Sequence, residues 1–325
     1  MKAILVTGGA GYIGSHMCKC LAHNGYEPVT LDNLCTGHES AVRWGPFYRG
    51  SIADTDLVQQ ILSSHNIQAV MHFAAHSLVP ESIADPLKYY RNNVSGTLNL
   101  LQVLIQQKVL RFIFSSTAAI FGEPVQTPLD ENHPKNPVNP YGHSKLWIEQ
   151  ILKDLQTAHN VNSISLRYFN AAGADADLEL GEAHNPETHL IPLVLKAALD
   201  GKDSLKIHGD DYPTKDGTCI RDYIHVTDLA QAHLKALERL MNNKPGGEYN
   251  LGNGQGFSVK EVIETARRIT SHPIPADIVG RRAGDPAVLI SSNEKAKRDL
   301  HWTPQYTSLE EMITSAFNWY SKAGM

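Results

Sequence analysis

The stretch Leu5-Val6-Thr7-Gly8-Gly9-Ala10-Gly11-Tyr12-Ile13-Gly14 decides the fold of this chain. An apolar run over residues 2–6 leads into it and is typical of a buried parallel strand. The apolar residues that follow recur at helical spacing and stop at Asn24-Gly25, which indicates a helix end. Glycines between a strand and a helix let the backbone approach a pyrophosphate at the helix N-terminus. The stretch therefore predicts a dinucleotide site, with an ordinary tight turn as the alternative.

The second predicted strand indicates which dinucleotide is bound. The run Pro28-Val29-Thr30-Leu31 ends in Asp32, about 20 residues beyond the glycines, where an acidic side chain binds the ribose hydroxyls of NAD. No arginine follows in residues 33–37, so a 2′-phosphate has no evident partner there. The sequence therefore favours NAD over NADP.

Composition and charge limit the class of protein. The chain has 325 residues, enough for two lobes, and its formal net charge of −5 argues weakly against a nucleic-acid or membrane partner. No apolar run reaches membrane-spanning length and no signal peptide precedes the first strand, so we expect a cytoplasmic protein. The four cysteines show neither disulfide nor metal-ligand spacing. We expect no metal site, although His184 and His189 lie in one polar loop.

Strand and helix signals alternate through the first half of the chain. Apolar runs at 69–73 and 111–114 predict further buried strands, and helical patterns cover 54–64 and 87–107. This alternation predicts an α/β protein with a Rossmann-type doubly wound parallel sheet, whose sites lie at the carboxyl ends of the strands. The alternation weakens later, which predicts a second, smaller mixed α/β lobe that holds the substrate. We divide the chain into 1–169, an NAD-binding domain, and 170–325, mainly a substrate lobe with some segments returning to the first domain.

A tyrosine and a lysine carry the predicted chemistry. Asn139-Pro140 is a helix start signal, and the helix that follows carries Tyr141 and Lys145 on one face. A phenol with a pKa of about 10 is a poor base at neutral pH unless positive charges stabilise its phenolate. Lys145 supplies one charge, an oxidised nicotinamide would supply another, and Thr117 at a strand end could complete a hydrogen-bonded set around a substrate alcohol. The alternative is a pair on a helix surface without function.

Two arginines stand out in the second half of the chain. Arg221 lies in the segment 220–225, and Arg282 lies in the segment 281–285. Guanidinium groups bind phosphate oxygens through paired hydrogen bonds, so both residues suit the pyrophosphate of a substrate. Surface ion pairs would explain these arginines equally well.

Several motifs together resemble one family. They are the glycine stretch, Asn139-Pro140-Tyr141-Gly142-His143-Ser144-Lys145, Leu166-Arg167-Tyr168-Phe169-Asn170, Arg221-Asp222-Tyr223-Ile224-His225 and Tyr249-Asn250-Leu251-Gly252. The chain is similar, almost from end to end, to the extended short-chain dehydrogenase/reductase family and, within it, to the nucleotide-sugar epimerases. The resemblance implies NAD-dependent C4 epimerisation of UDP-hexoses, namely UDP-glucose and UDP-galactose, through a 4-keto intermediate. It also implies a homodimer and a role in galactose metabolism.

The resemblance further implies roles for individual residues. Tyr141 would take the proton of the sugar 4-hydroxyl, Lys145 would lower the pKa of Tyr141 and bind the nicotinamide ribose, and Thr117 would bridge Tyr141 and the sugar. The residues expected to line NAD are Gly8, Gly11, Tyr12, Ile13, Gly14, Asp32, Asn33, Phe73, Ala74, Asn93, Ser115, Tyr141, Lys145 and Phe169. The residues expected to hold the UDP-sugar are Thr117, Tyr141, Asn170, His189, Leu190, Arg221, Arg282, Asp285 and Leu289.

Three of the substrate residues have more specific implied roles. Arg221 and Arg282 would meet the diphosphate, and Asp285 would meet the uridine ribose. Leu289 occupies a position that resembles a gate against N-acetylated sugars. Leucine is of intermediate size at such a gate, so both N-acetylated and unacetylated UDP-hexoses remain candidate substrates.

Other functions share part of this pattern. A nucleotide-sugar 4,6-dehydratase or a decarboxylase of uronic-acid nucleotides would need carboxylates directly after the strand-end threonine, where this chain has Ala118-Ala119. A non-catalytic NAD(P)-binding regulator would have no reason to keep Thr117, Tyr141 and Lys145 together. The epimerase interpretation is therefore favoured.

Overall fold

The computed structural model describes residues 1–201, 204–282 and 284–324. Its strands are β1 (Lys2–Thr7), β2 (Tyr26–Asp32), β3 (Phe47–Arg49), β4 (Ile67–His72), β5 (Arg111–Thr117), β6 (Asn162–Tyr168), β7 (Asn170–Ala172), β8 (Leu205–His208), β9 (Ile220–His225), β10 (Gly247–Leu251), β11 (Gly256–Ser258), β12 (Ala276–Val279) and β13 (Val288–Leu289). Its helices are α1 (Tyr12–His23), α2 (Thr55–Ser64), α3 (Val79–Ala84), α4 (Pro86–Tyr89), α5 (Thr97–Gln106), α6 (Pro140–His159), α7 (Leu190–Asp200), α8 (Val226–Met241), α9 (Val259–Thr270), α10 (Glu294–Leu300) and α11 (Leu309–Ala323). In the part of the chain so described, no helix combines the length and the apolar character that a bilayer crossing requires.

A seven-stranded parallel sheet forms the centre of the larger lobe. Its strand order is β10-β6-β5-β4-β1-β2-β3. Strand β1 is buried on both faces, as its continuous apolar sequence predicts. Ile4 and Val6 join the core beneath α1 and α8, and Ala3 and Leu5 join the core beneath α2, α5 and α6. The predicted Rossmann-type doubly wound sheet is thereby confirmed.

The smaller lobe is a mixture of short strands and helices. Strand β9 pairs in parallel with β7 and β13 and antiparallel with β11, and β12 pairs in parallel with β8. Helices α7, α9 and α11 contribute to one apolar core. Strand β10 and helix α8 come after residue 170 but pack on the large sheet. The division of the chain at residue 169 stays a prediction.

The predicted helix over 87–107 is interrupted in the structure. A π-helical segment, Tyr90–Gly96, separates α4 from α5. Within it, the Asn93 side chain donates to the His76 carbonyl at 2.9 Å and accepts from the His76 amide at 2.9 Å. Apolar periodicity does not register such a widened turn, which often occurs at functional sites.

The glycine turn joins β1 to α1 through close backbone contacts. Gly8 adopts a φ of +77°, and its amide donates to the Leu31 carbonyl at 2.8 Å, which fixes the turn against β2. A Cβ atom on Gly14 would lie 2.1 Å from the Gly8 carbonyl oxygen. The first turn of α1 can therefore approach the glycine turn only because residue 14 has no side chain.

We expect Gly14→Ala to lower the free energy of unfolding by about 3 kcal/mol, since the new methyl group meets backbone atoms that cannot move aside. Urea unfolding followed by circular dichroism measures this change. Gly280→Ala is the matched control because no atom lies within 4 Å of its added Cβ, and its effect should stay within about 0.5 kcal/mol. Equal stabilities of the two variants would contradict the assigned close approach.

Candidate active site

The predicted catalytic residues meet at the carboxyl ends of β5 and β6. Thr117 ends β5 and pairs in register with Tyr168, which ends β6. Tyr141 is the second residue of α6, whose N-cap Asn139 accepts a hydrogen bond from the Gly142 amide at 2.8 Å. A Cβ on Gly142 would lie 2.6 Å from the Ala119 carbonyl oxygen, so α6 begins directly against the turn that follows Thr117. Side chains on α6 and β5 are thereby held at one edge of the sheet.

Lys145 lies one helical turn after Tyr141 and is buried. Its Nζ donates to the Ser115 carbonyl at 2.9 Å and lies 5.9 Å from the centroid of the Tyr141 ring. Burial lowers the pKa of Lys145 to about 7, because the charged ammonium loses its hydration. The predicted proximity of the ammonium to the phenol is present in the structure.

The phenol of Tyr141 is subject to two opposing effects. Burial raises the pKa of Tyr141, and a hydrogen bond with Thr117 lowers it by a smaller amount. The bridging role expected of Thr117 stays a prediction. The effect of Lys145 on the pKa of the phenol stays a prediction.

The residues around the glycine turn fit an NAD molecule. Gly11 is the N-cap of α1 and provides no side-chain cap, so the first amides of this helix remain available for a pyrophosphate. A Cβ on Gly8 would lie 2.5 Å from the Ala74 amide nitrogen, which shows how closely the segment after β4 approaches the turn. The Asp32 carboxylate accepts from the Ala10 amide at 3.0 Å and from the Leu34 amide at 2.8 Å. These bonds fix an acidic group at the end of β2, where a ribose would lie.

The other residues predicted to line NAD are placed as follows. The Tyr12 hydroxyl donates to the Gly173 carbonyl at 2.7 Å, so this side chain reaches the smaller lobe, whereas Ile13 packs on the core beneath α1. Asn33 is exposed and accepts from the Cys35 amide. Phe73 and Ala74 directly follow β4, and Asn93 lies in the π-helical segment. Ser115, in β5, contacts the Tyr168 hydroxyl, and Phe169 packs against the turn that follows β5.

Most of the predicted substrate residues surround one cavity. The cavity has a volume of about 680 Å³ and is lined by Asn170, His189, Leu190, Arg221, Arg282 and Asp285, among others. Arg221 forms an ion pair with Asp285, and Asn170 donates to the Asp222 carbonyl at 3.0 Å. The guanidinium groups of Arg221 and Arg282 and the carboxylate of Asp285 therefore line this cavity together with the first residues of β7.

The residues that line this cavity do not include Leu289 or the predicted catalytic residues. Leu289 is the register partner of Arg221 in the small sheet. It also packs with Phe169 against an apolar cluster from residues 118–121, the segment that follows Thr117. Leu289 therefore connects the strand that carries Arg221 with the segment that carries Thr117.

The sequence motifs contain two further residues without an assigned role, Arg167 and Asp222, and they do not include Glu149. Glu149 and Arg167 form an ion pair that is almost fully buried, and Glu149 also accepts from the Ser116 hydroxyl at 2.6 Å. Asp222 is buried and accepts from the amides of Ser291, Asn253 and Gly254 at 2.8–3.1 Å, although burial still raises its pKa to about 7. A charged residue inside an apolar strand was the signal that could have identified Arg167.

The chain is similar to known proteins over most of its length. Residues 4–252 match the model of the NAD dependent epimerase/dehydratase family. The chain is 53% identical over 320 residues to the UDP-glucose 4-epimerase of Halalkalibacterium halodurans, a match that covers 98% of this chain and 96% of that protein.

Solved structures are similar to this chain over nearly its whole length. The UDP-glucose 4-epimerase of Brucella ovis in complex with NAD is similar with a TM-score of 0.96 and 47% identity, covering 98% of each chain. The UDP-glucose 4-epimerase of Bifidobacterium longum in complex with NAD⁺ and UDP is similar with a TM-score of 0.94 and 38% identity, covering 99% of each chain. The chain belongs to the NAD dependent epimerase/dehydratase family, in which it resembles the UDP-glucose 4-epimerases.

Proposed function

We propose that this chain catalyses the NAD-dependent C4 epimerisation of UDP-hexoses, interconverting UDP-glucose and UDP-galactose through a 4-keto sugar. The observation that carries the proposal is the meeting of Thr117, Tyr141 and Lys145 at the sheet edge that also holds the glycine turn. The cofactor is NAD, which when bound accepts a hydride from C4 of the sugar and returns it to the opposite face.

Tyr141 is proposed as the group that removes and returns the proton of the sugar 4-hydroxyl. Its hydrogen bond with Thr117 lowers the pKa of the phenol, and the same threonine hydroxyl can bridge the phenol and the sugar oxygen. The ammonium of Lys145 lies on the same helix face and favours the phenolate by its positive charge. These contacts support the three roles implied by the resemblance.

Arg221 and Arg282 are proposed to bind the diphosphate of the substrate. Both line the same cavity, and guanidinium groups form paired hydrogen bonds with phosphate oxygens. In this proposal Asp285 accepts from the uridine ribose, and Asn170, His189 and Leu190 complete the wall. Leu289 lies between β9, the strand that carries Arg221, and the segment that follows Thr117. In this proposal the size of the Leu289 side chain limits the substituent on the sugar.

The competing functions lack a chemical group at the required place. A dehydratase or decarboxylase needs a carboxylate after the strand-end threonine, but the segment after Thr117 begins with Ala118 and Ala119. Alanine side chains cannot transfer protons. The segment therefore supports epimerisation, which needs one proton-transferring group rather than an additional acid and base.

We also propose that the enzyme is a cytoplasmic homodimer. Ile83, Leu87, Leu98 and Trp147 are exposed apolar side chains on helices α3 to α6. Helices α3, α4 and α6 pack on one another, and α5 and α6 both pack on the π-helical segment between α4 and α5. Exposed apolar residues grouped on neighbouring helices are typical of an interface between copies. Sedimentation analysis of the purified protein tests this state.

The substrate is tested by product analysis. Purified protein without added NAD is incubated separately with UDP-galactose, UDP-glucose and their N-acetylated forms, and the sugars are then identified. Conversion at C4 supports the proposal, whereas loss of water or carbon dioxide would favour a dehydratase or a decarboxylase. Conversion of the N-acetylated forms would show that Leu289 leaves room for an N-acetyl group on the sugar.

We expect Tyr141→Phe to lower kcat by about 10²–10⁴-fold, because the phenylalanine ring cannot accept or return the proton of the 4-hydroxyl. Bound NAD should be retained, since this change removes one oxygen atom from an otherwise unchanged side chain. Turnover is measured with UDP-galactose, and NAD is quantified after denaturation. Undiminished turnover in the NAD-loaded variant would remove Tyr141 as the proton-transferring group.

We expect Arg282→Ala to raise the KM for UDP-galactose by about 10- to 100-fold with a smaller change in kcat, because a charged hydrogen bond is worth about 1.5–3 kcal/mol. Arg281→Ala is the matched control, since Arg281 instead forms an ion pair with Asp211 and stacks on the Tyr212 ring. The control should change KM less than about twofold. The same KM for both variants would argue against a phosphate contact at Arg282.

A further inference from the structure

Four side chains with metal-binding groups converge in the loop before α7. Glu182, His184, Glu187 and His189 each place one ligand-type atom within 4.8 Å of the others. Their spacing matches none of the common zinc patterns, so the sequence predicts no metal here. The cluster lies apart from Thr117, Tyr141 and Lys145, although its last member lines the substrate cavity.

The distances between these atoms resemble those in a tetrahedral site. Glu182 Oε1 lies 3.0 Å from His184 Nδ1 and 2.6 Å from His189 Nδ1, and Glu187 Oε2 lies 3.9 Å from His184 Nδ1. Metal–ligand bonds of about 2.1 Å at tetrahedral angles separate neighbouring ligands by about 3.4 Å. The observed separations bracket this value, so small side-chain movements would bring all four atoms onto one ion.

Two of these atoms are buried without a hydrogen-bond partner. The Glu187 side chain is 2% exposed, and its Oε1 accepts from the amides of Thr188 and His189 at 2.7 and 2.8 Å. Its second oxygen, Oε2, has no partner. His189 Nδ1 also has no hydrogen-bond partner in a suitable direction, although Glu182 Oε1 lies only 2.6 Å away. A buried carboxylate oxygen without a partner is costly, and a bound cation would remove that cost.

We propose that Glu182, His184, Glu187 and His189 bind a divalent transition metal ion, with Zn²⁺ as the preferred ion. Two imidazole nitrogens and two carboxylate oxygens form a mixed ligand set that suits zinc better than Mg²⁺ or Ca²⁺, which bind oxygen. The side chains of His184 and His189 are 28% and 44% exposed, which leaves a path for the ion from solvent.

A neighbouring acidic cluster provides a comparison within the same chain. Asp175, Asp177 and Glu179 also converge, but the ammonium of Lys19 lies 2.7 Å from a carboxylate oxygen of each. This second cluster therefore contains its own cation. In the 182–189 cluster the imidazoles of His184 and His189 face the two glutamates, and metal-free ion pairs between these imidazoles and the glutamates are the competing arrangement.

A metal at this place would order one wall of the substrate cavity. The Glu182 carbonyl accepts from the Tyr320 hydroxyl at 2.7 Å, and the His38 imidazole lies 2.7 Å from the Ala183 carbonyl. At its other end, the loop continues from His189 into Leu190, the first residue of α7. The ion would thus link α11 and the segment after β2 to the cavity wall. The proposed role is structural, because both glutamates and both histidines are used as ligands.

The test measures metal binding directly and needs no assay of activity. Full-length protein without a polyhistidine tag is dialysed against metal-free buffer and titrated with Zn²⁺ in competition with a chromogenic chelator. We expect one Zn²⁺ per chain by mass spectrometry. His184→Ala and Glu187→Gln should each weaken binding more than about 100-fold, beyond the usual effect of an outer-shell residue. Asp177→Asn, in the neighbouring cluster, is the matched control and should bind Zn²⁺ with the affinity of the parent protein.

Two further measurements keep the result clear if a variant folds poorly. Zn²⁺ should raise the unfolding temperature of the parent protein in a concentration-dependent manner, and Co²⁺ should give the intense visible absorption of a tetrahedral site. Glu187→Gln retains an oxygen that can accept from the amides of residues 188 and 189, so its fold should persist. The proposal is overturned if the parent protein binds no Zn²⁺ at micromolar free metal, or if the ligand variants bind it equally well.

Discussion

The position of α6, the helix that carries Tyr141 and Lys145, depends on one buried ion pair. Glu149 on α6 and Arg167 on β6 are 2% and 1% exposed at their side chains, and two hydrogen bonds of 2.9 and 2.6 Å join them. Glu149 also accepts from Ser116, the residue before Thr117. Breaking such a pair leaves an uncompensated buried charge, which typically costs about 3–5 kcal/mol. The pair therefore specifies how α6 lies on β5 and β6, and hence where Tyr141 and Lys145 meet Thr117.

A second set of contacts fixes the smaller lobe to the first helix. Lys19 on α1 binds three carboxylates of the segment 175–179, and the Tyr12 hydroxyl donates to Gly173. Because α1 starts at the glycine turn, the helix whose N-terminus is proposed to bind a pyrophosphate also anchors the segment after β7. The contacts of α1 thus join the proposed cofactor site to the lobe that contains Arg221 and Arg282.

The sequence predicts those parts of the site that follow from local rules. The glycine turn, Asp32 at a strand end and the Tyr141–Lys145 pair depend on spacing within a few residues, and the structure has them at one edge of the sheet. The register that pairs Thr117 with Tyr168, the buried partner of Arg167 and the convergence of residues 182–189 depend on tertiary packing. No periodicity or motif encodes them. The π-helical segment is not predicted from the sequence for a related reason, since the side chain of Asn93 forms hydrogen bonds with a loop rather than with its own helix.

Burial shifts the pKa values of Tyr141 and Lys145 in the directions opposite to those that their proposed catalytic roles require. It raises the pKa of Tyr141 and lowers the pKa of Lys145, so each is driven toward its neutral form. Epimerisation requires the reverse, a phenol that gives up its proton beside an ammonium that keeps its own. Each charge favours the other, because the energy of an ion pair in a dry site is larger than in water. In the proposed mechanism the acidity of the phenol is therefore a property of the assembled site, in which Thr117, Lys145 and the positive charge of an oxidised nicotinamide would act together on one oxygen atom.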